Sequence, residues 1–417
     1  MIFLYNLITP LIALLALPFI SIAFAMQPKL QAGFYKKIGM YEFKKNSKET
    51  VIFHAVSVGE VNAIEQLIIK TREKHPDINI ILTTTTKTGQ DVANKKLSKY
   101  VTQITYFPYD FIFSVKSFLN TYNPSKVIIA ETEIWPCFSS TAKKMGIKTY
   151  IVNGRISPNS YIGYKKFSYF FKSILSNYEA ILMQSEADAK RIIDIGANPD
   201  KTKVMGNLKF DIYPTLTELQ INNLKKEMKL GDNRLLIAAS THNGEDEIVL
   251  NVYKKLKSKF NDLKLLIAPR HPHRYNQVED LVKSYNFKFG KRTDKDTFDD
   301  NDIIMLDTMG ELSNFYSIGY LSFIGGSFSQ TGGHNPLEAN IWNKPVISGP
   351  TVFNFKDIYS IVVNENAAKI VNTQEELLQE MSEYLSDKDK YEKACISANK
   401  IFEANQGAVD FVLKNIL

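Results

Sequence analysis

Only two cysteines, Cys137 and Cys395, occur in 417 residues, and no CxxC pair is present. That excludes a disulfide scaffold, a zinc ribbon and a thioredoxin-like centre, and it points to a reducing compartment. Glycine (20) and proline (15) are too scarce for a collagenous chain, and 44% hydrophobic residues exclude a mainly disordered one. There is no long Lys/Arg run and no RNP-like or helix-turn-helix pattern, so nucleic acid is not an expected partner. The net charge of +7 by itself suits an anionic surface or substrate as well as nucleic acid. Neither GxGxxG nor GxxxxGK[ST] is found, which leaves NAD and P-loop nucleotide chemistry without support.

Charge is also missing from residues 1–28, MIFLYNLITPLIALLALPFISIAFAMQP. The apolar stretch from Ile2 to Met26 is long enough to cross a bilayer core, although Pro10 and Pro18 would kink it. It lacks the basic n-region and short apolar run of a cleaved signal peptide. A buried core helix is the other reading. Lys29, Lys36, Lys37, Lys44, Lys45 and Lys48 follow, which would place the remainder in the cytoplasm. Tyr35, Tyr41 and Phe43 among them suit a headgroup-level collar on anionic lipid.

From Val51 onward, short apolar runs alternate with amphipathic segments of 10–15 residues, the pattern of parallel βαβ units in a doubly wound sheet. Strands are expected at Val51–Val56, Ile78–Thr84, Gln103–Tyr106, Val127–Ala130, Lys148–Asn153, Ile181–Gln184 and Val204–Met205. Asp211–Gly231 is polar and reads as a linker. The pattern restarts with Leu235–Ala239, Leu263–Ala268, Asp302–Met305, Tyr320–Ile324 and Pro345–Ile347. The expected organisation is an anchor over 1–28, one α/β domain over 29–213, a second over 214–395, and a helical tail over 396–417.

The chemistry-bearing residues fall at strand ends, where ligands of such sheets bind. In His54-Ala-Val-Ser-Val-Gly-Glu60, the glycine permits a tight turn into a helix whose first turn carries Glu60. The helix dipole lowers a carboxyl pKa at that position and burial raises it; a purely structural Glu is the alternative. Glu131-Thr-Glu133-Ile-Trp-Pro136 places two carboxylates before a proline that starts a helix. Lys209, in Gly-Asn-Leu-Lys-Phe-Asp, is able to reach an anion. Ser240-Thr-His242-Asn-Gly-Glu-Asp-Glu247 suits a phosphate or sugar cradle, and Arg270 in Pro269-Arg-His-Pro-His-Arg274 can pair bidentately with a phosphate or carboxylate. His271 and His273 lack a third ligand at useful spacing, so no metal is expected. The strongest local signal is Gly325-Gly-Ser-Phe-Ser-Gln-Thr-Gly-Gly-His-Asn335-Pro-Leu-Glu338. Its bare glycine amides, with Pro336 opening a helix, read as an anion site, and Glu338 is able to accept from ribose hydroxyls. A structural glycine loop is the alternative.

These stretches, with NGRIS, DTMGEL and ISGPTVFNF, occur in the order found in the Kdo (3-deoxy-D-manno-octulosonic acid) transferases of lipopolysaccharide assembly, which the chain resembles to about residue 360. The resemblance implies an α/β GT-B fold, two Rossmann-like domains facing a cleft, with an N-terminal inner-membrane helix and a cytoplasmic catalytic face. It implies CMP-Kdo as donor, a lipid A precursor (lipid IVA) as acceptor, and inversion with neither metal nor cofactor. Glu60 then matches the catalytic base, and Glu131 and Lys209 match groups that stabilise the transition state. CMP contacts carry over to Pro269, Arg270, Met309, Gly310, Glu311, Asn335, Pro336, Leu337 and Glu338. Asn243 departs from the family's usual Glu in the STHNGE block. A non-hydrolysing UDP-sugar epimerase, also two Rossmann-like halves, is the alternative, but it would not need an anchor.

Overall fold

A computed structural model of the chain describes residues 2–26, 31–44 and 46–417, with the side chains of residues 3, 17 and 19–25 outside that description. Among the described residues, two seven-stranded parallel sheets form, one in each of two compact units. The first unit comprises Met1–Asp211 together with Asn405–Leu417, and the second comprises Ile212–Ala404.

The strands of the first sheet are β1 (Thr50–His54), β2 (Asn79–Thr84), β3 (Gln103–Tyr106), β4 (Lys126–Ala130), β5 (Lys148–Gly154), β6 (Ala180–Met183) and β7 (Thr202–Val204). They lie in the order β3-β2-β1-β4-β5-β6-β7. Every residue of β1 and β2 is buried, as expected of strands covered by helices on both faces. Alternate residues go to opposite faces. Ile52, Ile81, Val127 and Ile129 enter one core, while Val51, Phe53, Ile80 and Leu82 enter the other. The second core is completed by Ala408, Val409, Val412 and Leu413 of the helix Ala408–Asn415. The buried Asp211 carboxylate accepts the N–H groups of Gly407 (2.6 Å) and Val409 (2.5 Å), capping that helix.

The second sheet holds β8 (Arg234–Thr241), β9 (Leu263–Pro269), β10 (Phe289–Lys291), β11 (Ile303–Met305), β12 (Leu321–Ile324), β13 (Val346–Ser348) and β14 (Ala368–Ile370). Its order is β10-β11-β9-β8-β12-β13-β14. In both sheets the chain winds one way and then the other from a central strand, so a switch point lies between β1 and β4 in the first and between β8 and β12 in the second. Crevices open outside the carboxyl ends of strands at such points.

Two expectations need correction. The polar stretch read as a linker contains the helix Glu218–Glu227, started by a Thr217/Gln220 capping box and burying no side chain. The basic collar is partly internal: Lys37 is buried with its ammonium 5.0 Å from the Tyr106 ring centre, which lowers its pKa through lost solvation. Tyr41 and Phe43 pack on Tyr122 rather than standing free, while Tyr35 is exposed. Lys29 and Lys45 lie outside the described residues. The N-terminal segment is a helix, Ile2–Met26, and Ile2 and Tyr5 pack on the first core, with the Tyr5 hydroxyl donating to Asp110 at 2.9 Å. Among the described residues no helix is long and apolar enough to cross a membrane, so a spanning anchor gains no support here.

Candidate active site

In the first unit the switch point gathers carboxylates. β1 runs into the helix Val58–Lys74, and Glu60 in its first turn folds back on the connecting turn. One carboxylate oxygen accepts the Val56 N–H at 2.5 Å and the other the Ser57 hydroxyl at 3.2 Å. Burial outweighs these bonds, and with the nearby charges of Glu131 and Glu133 it pushes the Glu60 carboxyl up to about 8. Of the two opposing effects legible in the sequence, desolvation wins over the helix terminus.

β4 ends at Ala130, and Glu131 follows with φ 56°, a left-handed conformation uncommon outside glycine. The Glu131 carboxylate lies 3.4 Å from the Lys209 ammonium, both about three-quarters buried. Lys209 sits on the short turn Leu208–Phe210, which Asn207 caps by accepting the Lys209 N–H at 3.0 Å. Asn153 holds the same turn by accepting the Leu208 N–H at 3.0 Å, and Gln184 accepts from Asn207 at 3.1 Å. Glu133, paired with Glu131 in the sequence reading but given no role there, is raised by burial and by Glu131. Its signal was the two-residue spacing in Glu-Thr-Glu. His54 is a core residue: stacked on Phe107 at 3.8 Å, it is held at about 3 by burial and is neutral. The first unit therefore brings together Glu60, Glu131, Glu133 and Lys209.

In the second unit the loops after β11, β9, β8 and β12 stand side by side along the carboxyl edge, spanning roughly 14 Å at normal strand spacing. They carry Met309–Glu311, Arg270, His242 and Asn335–Glu338 respectively. Pro269 is buried at the end of β9, and the Arg270 side chain is exposed beside it, its own N–H bonded to Thr241 O at 3.0 Å. Arg274 is instead buried, donating to Thr241 O at 2.9 Å and paired with Asp246. Met309 is exposed, Gly310 has φ 89°, and Glu311 pairs with Arg292 at 3.2 Å.

The glycine-rich loop differs from expectation. The amides of Gly326, Ser327 and Phe328 are not bare: they donate to the buried Glu245 carboxylate at 2.7, 2.8 and 2.8 Å. The chain's own carboxylate fills that anion nest. The helix after it is a single turn, Leu337–Asn340, with Pro336 at its N-cap and Asn335 Oδ1 accepting the Leu337 N–H at 3.1 Å. Pro336 and Leu337 are buried; Glu338 is exposed. Among the described residues no group of three or more His, Cys, Asp or Glu is arranged to hold a metal ion.

Residues 31–212 match the family model described as 3-deoxy-D-manno-octulosonic-acid transferase (kdotransferase). A 3-deoxy-D-manno-octulosonic acid transferase from Haemophilus influenzae is 34% identical over 404 residues, 96% of this chain and 94% of that protein. A protein of the same name from Rickettsia felis is 33% identical over 89% of this chain and 79% of its own. Among solved structures, UDP-GlcNAc 2-epimerase from Neisseria meningitidis superposes with a TM-score of 0.56 at 15% identity, covering 88% of this chain and 99% of that one; the likeness is one of fold. With identity sustained along nearly the whole length of both proteins, the chain belongs to the Kdo transferase family and is a glycosyltransferase.

Proposed function

We propose that this enzyme transfers Kdo from CMP-Kdo to the lipid A precursor lipid IVA, inverting the anomeric centre in one metal-independent displacement. Glu60 acts as general base. A sugar hydroxyl is a poor nucleophile until its proton is taken, and a base is most effective with a pKa near the working pH. The observation that carries the reading is the buried Glu60 carboxyl, raised to about 8 beside the Glu131–Lys209 pair. Attack forms the bond from the acceptor oxygen to the sugar carbon as the bond from that carbon to the phosphate oxygen breaks, and the acceptor proton passes to Glu60. The departing phosphate gains charge, which Arg270 offsets electrostatically, and Lys209 stabilises the transition state from the first unit's centre. Glu131 positions Lys209.

CMP contacts are assigned to Pro269, Arg270, Met309, Gly310, Glu311, Asn335, Pro336, Leu337 and Glu338, which lie on neighbouring loops of one sheet edge. Leu4, Leu7, Leu11, Ile12, Leu14 and Leu15 are exposed along the helix Ile2–Met26, which supports a membrane anchor; the lysines after it, Lys36, Lys37, Lys44 and Lys48 among them, favour an inner-membrane setting with the two α/β units in the cytoplasm. Mass spectrometry of lipid IVA incubated with the enzyme, CMP-Kdo and a chelator tests the reading. One or more Kdo units added to the lipid are expected, and Glu60→Ala should add none while still binding CMP. An unmodified lipid with folded parent enzyme would overturn it.

A further inference from the structure

The mechanism above leaves a group of imidazoles without a role. His242 follows β8, His271 follows β9, and His334 closes the glycine-rich loop after β12, so all three leave the carboxyl edge around the second sheet's switch point. The Nε2 atoms of His242 and His334 lie 3.0 Å apart, with the rings stacked at 5.3 Å. His271 stands edge-on to His242 at 5.3 Å and stacks on His273 at 5.4 Å. A 3.0 Å contact between two ring nitrogens requires one to donate and the other to accept. The pair as built therefore has one Nε2–H and one bare Nε2.

The contact is held by structure around it. One oxygen of Glu245 accepts the N–H of His242 (2.8 Å) and of Gly326 (2.7 Å), and the other accepts Ser327 and Phe328. A single buried carboxylate thus ties the loop bearing His242 to the loop bearing His334. Gly326, at φ 69°, lets the imidazole in: a Cβ there would sit 3.1 Å from His334 Cδ2 and 3.2 Å from its Nε2.

The charges facing the pair are mostly positive. Burial, with Arg270, His242 and His271, pushes His334 down to about 4. Burial also lowers His242, opposed by Glu245 and reinforced by His271, Arg274 and Arg270. Arg274 is itself paired with the buried Asp246. Without an anion the pair is neutral at pH 7. A phosphate dianion brought against it would reverse the local sign and favour protonation.

We propose that the His242–His334 pair is a subsite for the phosphate of a nucleoside monophosphate, and that it takes up one solvent proton as the phosphate arrives. With that proton, both Nε2 atoms carry hydrogen, and both donate to phosphate oxygens instead of to each other. This rests on the CMP donor reading and extends it. When the sugar–oxygen bond breaks, its electron pair stays on the phosphate, and the acquired imidazolium charge offsets it.

Calorimetric titration of the full chain with CMP at pH 7.5, in two buffers of different ionisation enthalpy, measures the proton count. At that pH CMP is itself mostly dianionic, its second pKa being about 6. Uptake approaching one proton per CMP is expected. His334→Ala should abolish uptake and weaken CMP about tenfold or more, the scale of a charge-assisted hydrogen bond. Cytidine, which lacks the phosphate, should bind that variant and the parent alike. CMP binding by the parent without proton uptake would overturn the subsite alone, as would equal weakening of cytidine and CMP in His334→Ala. No CMP binding by the folded parent would overturn the donor reading and the subsite together.

Discussion

Replacing Glu60 by Gln should make the first unit more stable at alkaline pH while removing activity. The side chain is 8% exposed and its carboxyl is raised from 4.5 to about 8. The native state thus keeps a proton that the unfolded chain releases near pH 4.5. The stability this proton contributes is complete below pH 4.5 and is lost as pH rises through about 8. At about 1.4 kcal/mol per pH unit, the span from 4.5 to about 8 amounts to ~5 kcal/mol. Gln cannot ionise but still accepts the Val56 N–H. Its carbonyl is a neutral acceptor there, like that of the protonated carboxyl it replaces. Glu60→Gln should therefore match the parent or fall slightly below it at pH 4.5, and exceed it by about 3–5 kcal/mol at pH 9. The chain has two tryptophans, Trp135 in the first unit and Trp342 in the second. Urea unfolding followed by fluorescence in a Trp342→Phe background therefore reads the first unit. Turnover by the parent should rise with pH to a midpoint near 8 and be absent from Glu60→Gln throughout. A Gln variant no more stable than the parent at pH 9 would refute the reasoning, because the carboxylate would then not be destabilised where it sits.

Lys209→Met should lower turnover on the order of 10²–10³-fold, as when one group facing a developing oxyanion is removed. Steady-state assay with saturating donor checks this, and an unchanged rate would remove Lys209 from the chemistry. Asp211→Ala leaves the Gly407 and Val409 N–H groups without their carboxylate and should cost about 2–4 kcal/mol in the first unit. Trp135 should report the loss and Trp342 should not. In Gly325→Ala, the new Cβ would sit 2.6 Å from the Ser240 carbonyl oxygen and 2.8 Å from Thr241 Cα. Backbone on that side cannot step aside, so the second unit should lose about 2–4 kcal/mol, read by urea unfolding at Trp342.

What the sequence made legible followed from burial on two faces. Runs such as Val51–Phe53 and Ile80–Leu82 are apolar because helices cover both sides, and they stand out for that reason. β10 and β14 are three-residue edge strands, Phe289–Lys291 and Ala368–Ile370, too short to show a pattern. The helix Glu218–Glu227 buries nothing, so no apolar stripe marks it, although Thr217 and Gln220 at capping-box spacing were there to read. At the site, glycine spacing correctly announced a cluster of backbone donors but could not say what they hold. That depended on Glu245, some eighty residues earlier in the chain, arriving across the switch point. The raised Glu60 depended likewise on how deeply the turn is covered, a property of the packed unit rather than of any local stretch.

The return of Asn405–Leu417 to the first unit sets a timetable for biosynthesis. Ala408, Val409, Val412 and Leu413 pack with Met205 and Leu208, against the turn that presents Lys209, and their helix is fastened by Asp211. Those partners emerge from the ribosome only after the second unit has been made, roughly 200 residues and 10–40 s later at 5–20 residues per second. The earlier-made lobe must wait, with one face of its sheet incompletely covered, while the later-made lobe folds ahead of it. A fragment ending at Asp211 would carry every acidic residue of the first centre and Lys209, yet lack the strap that completes their scaffold.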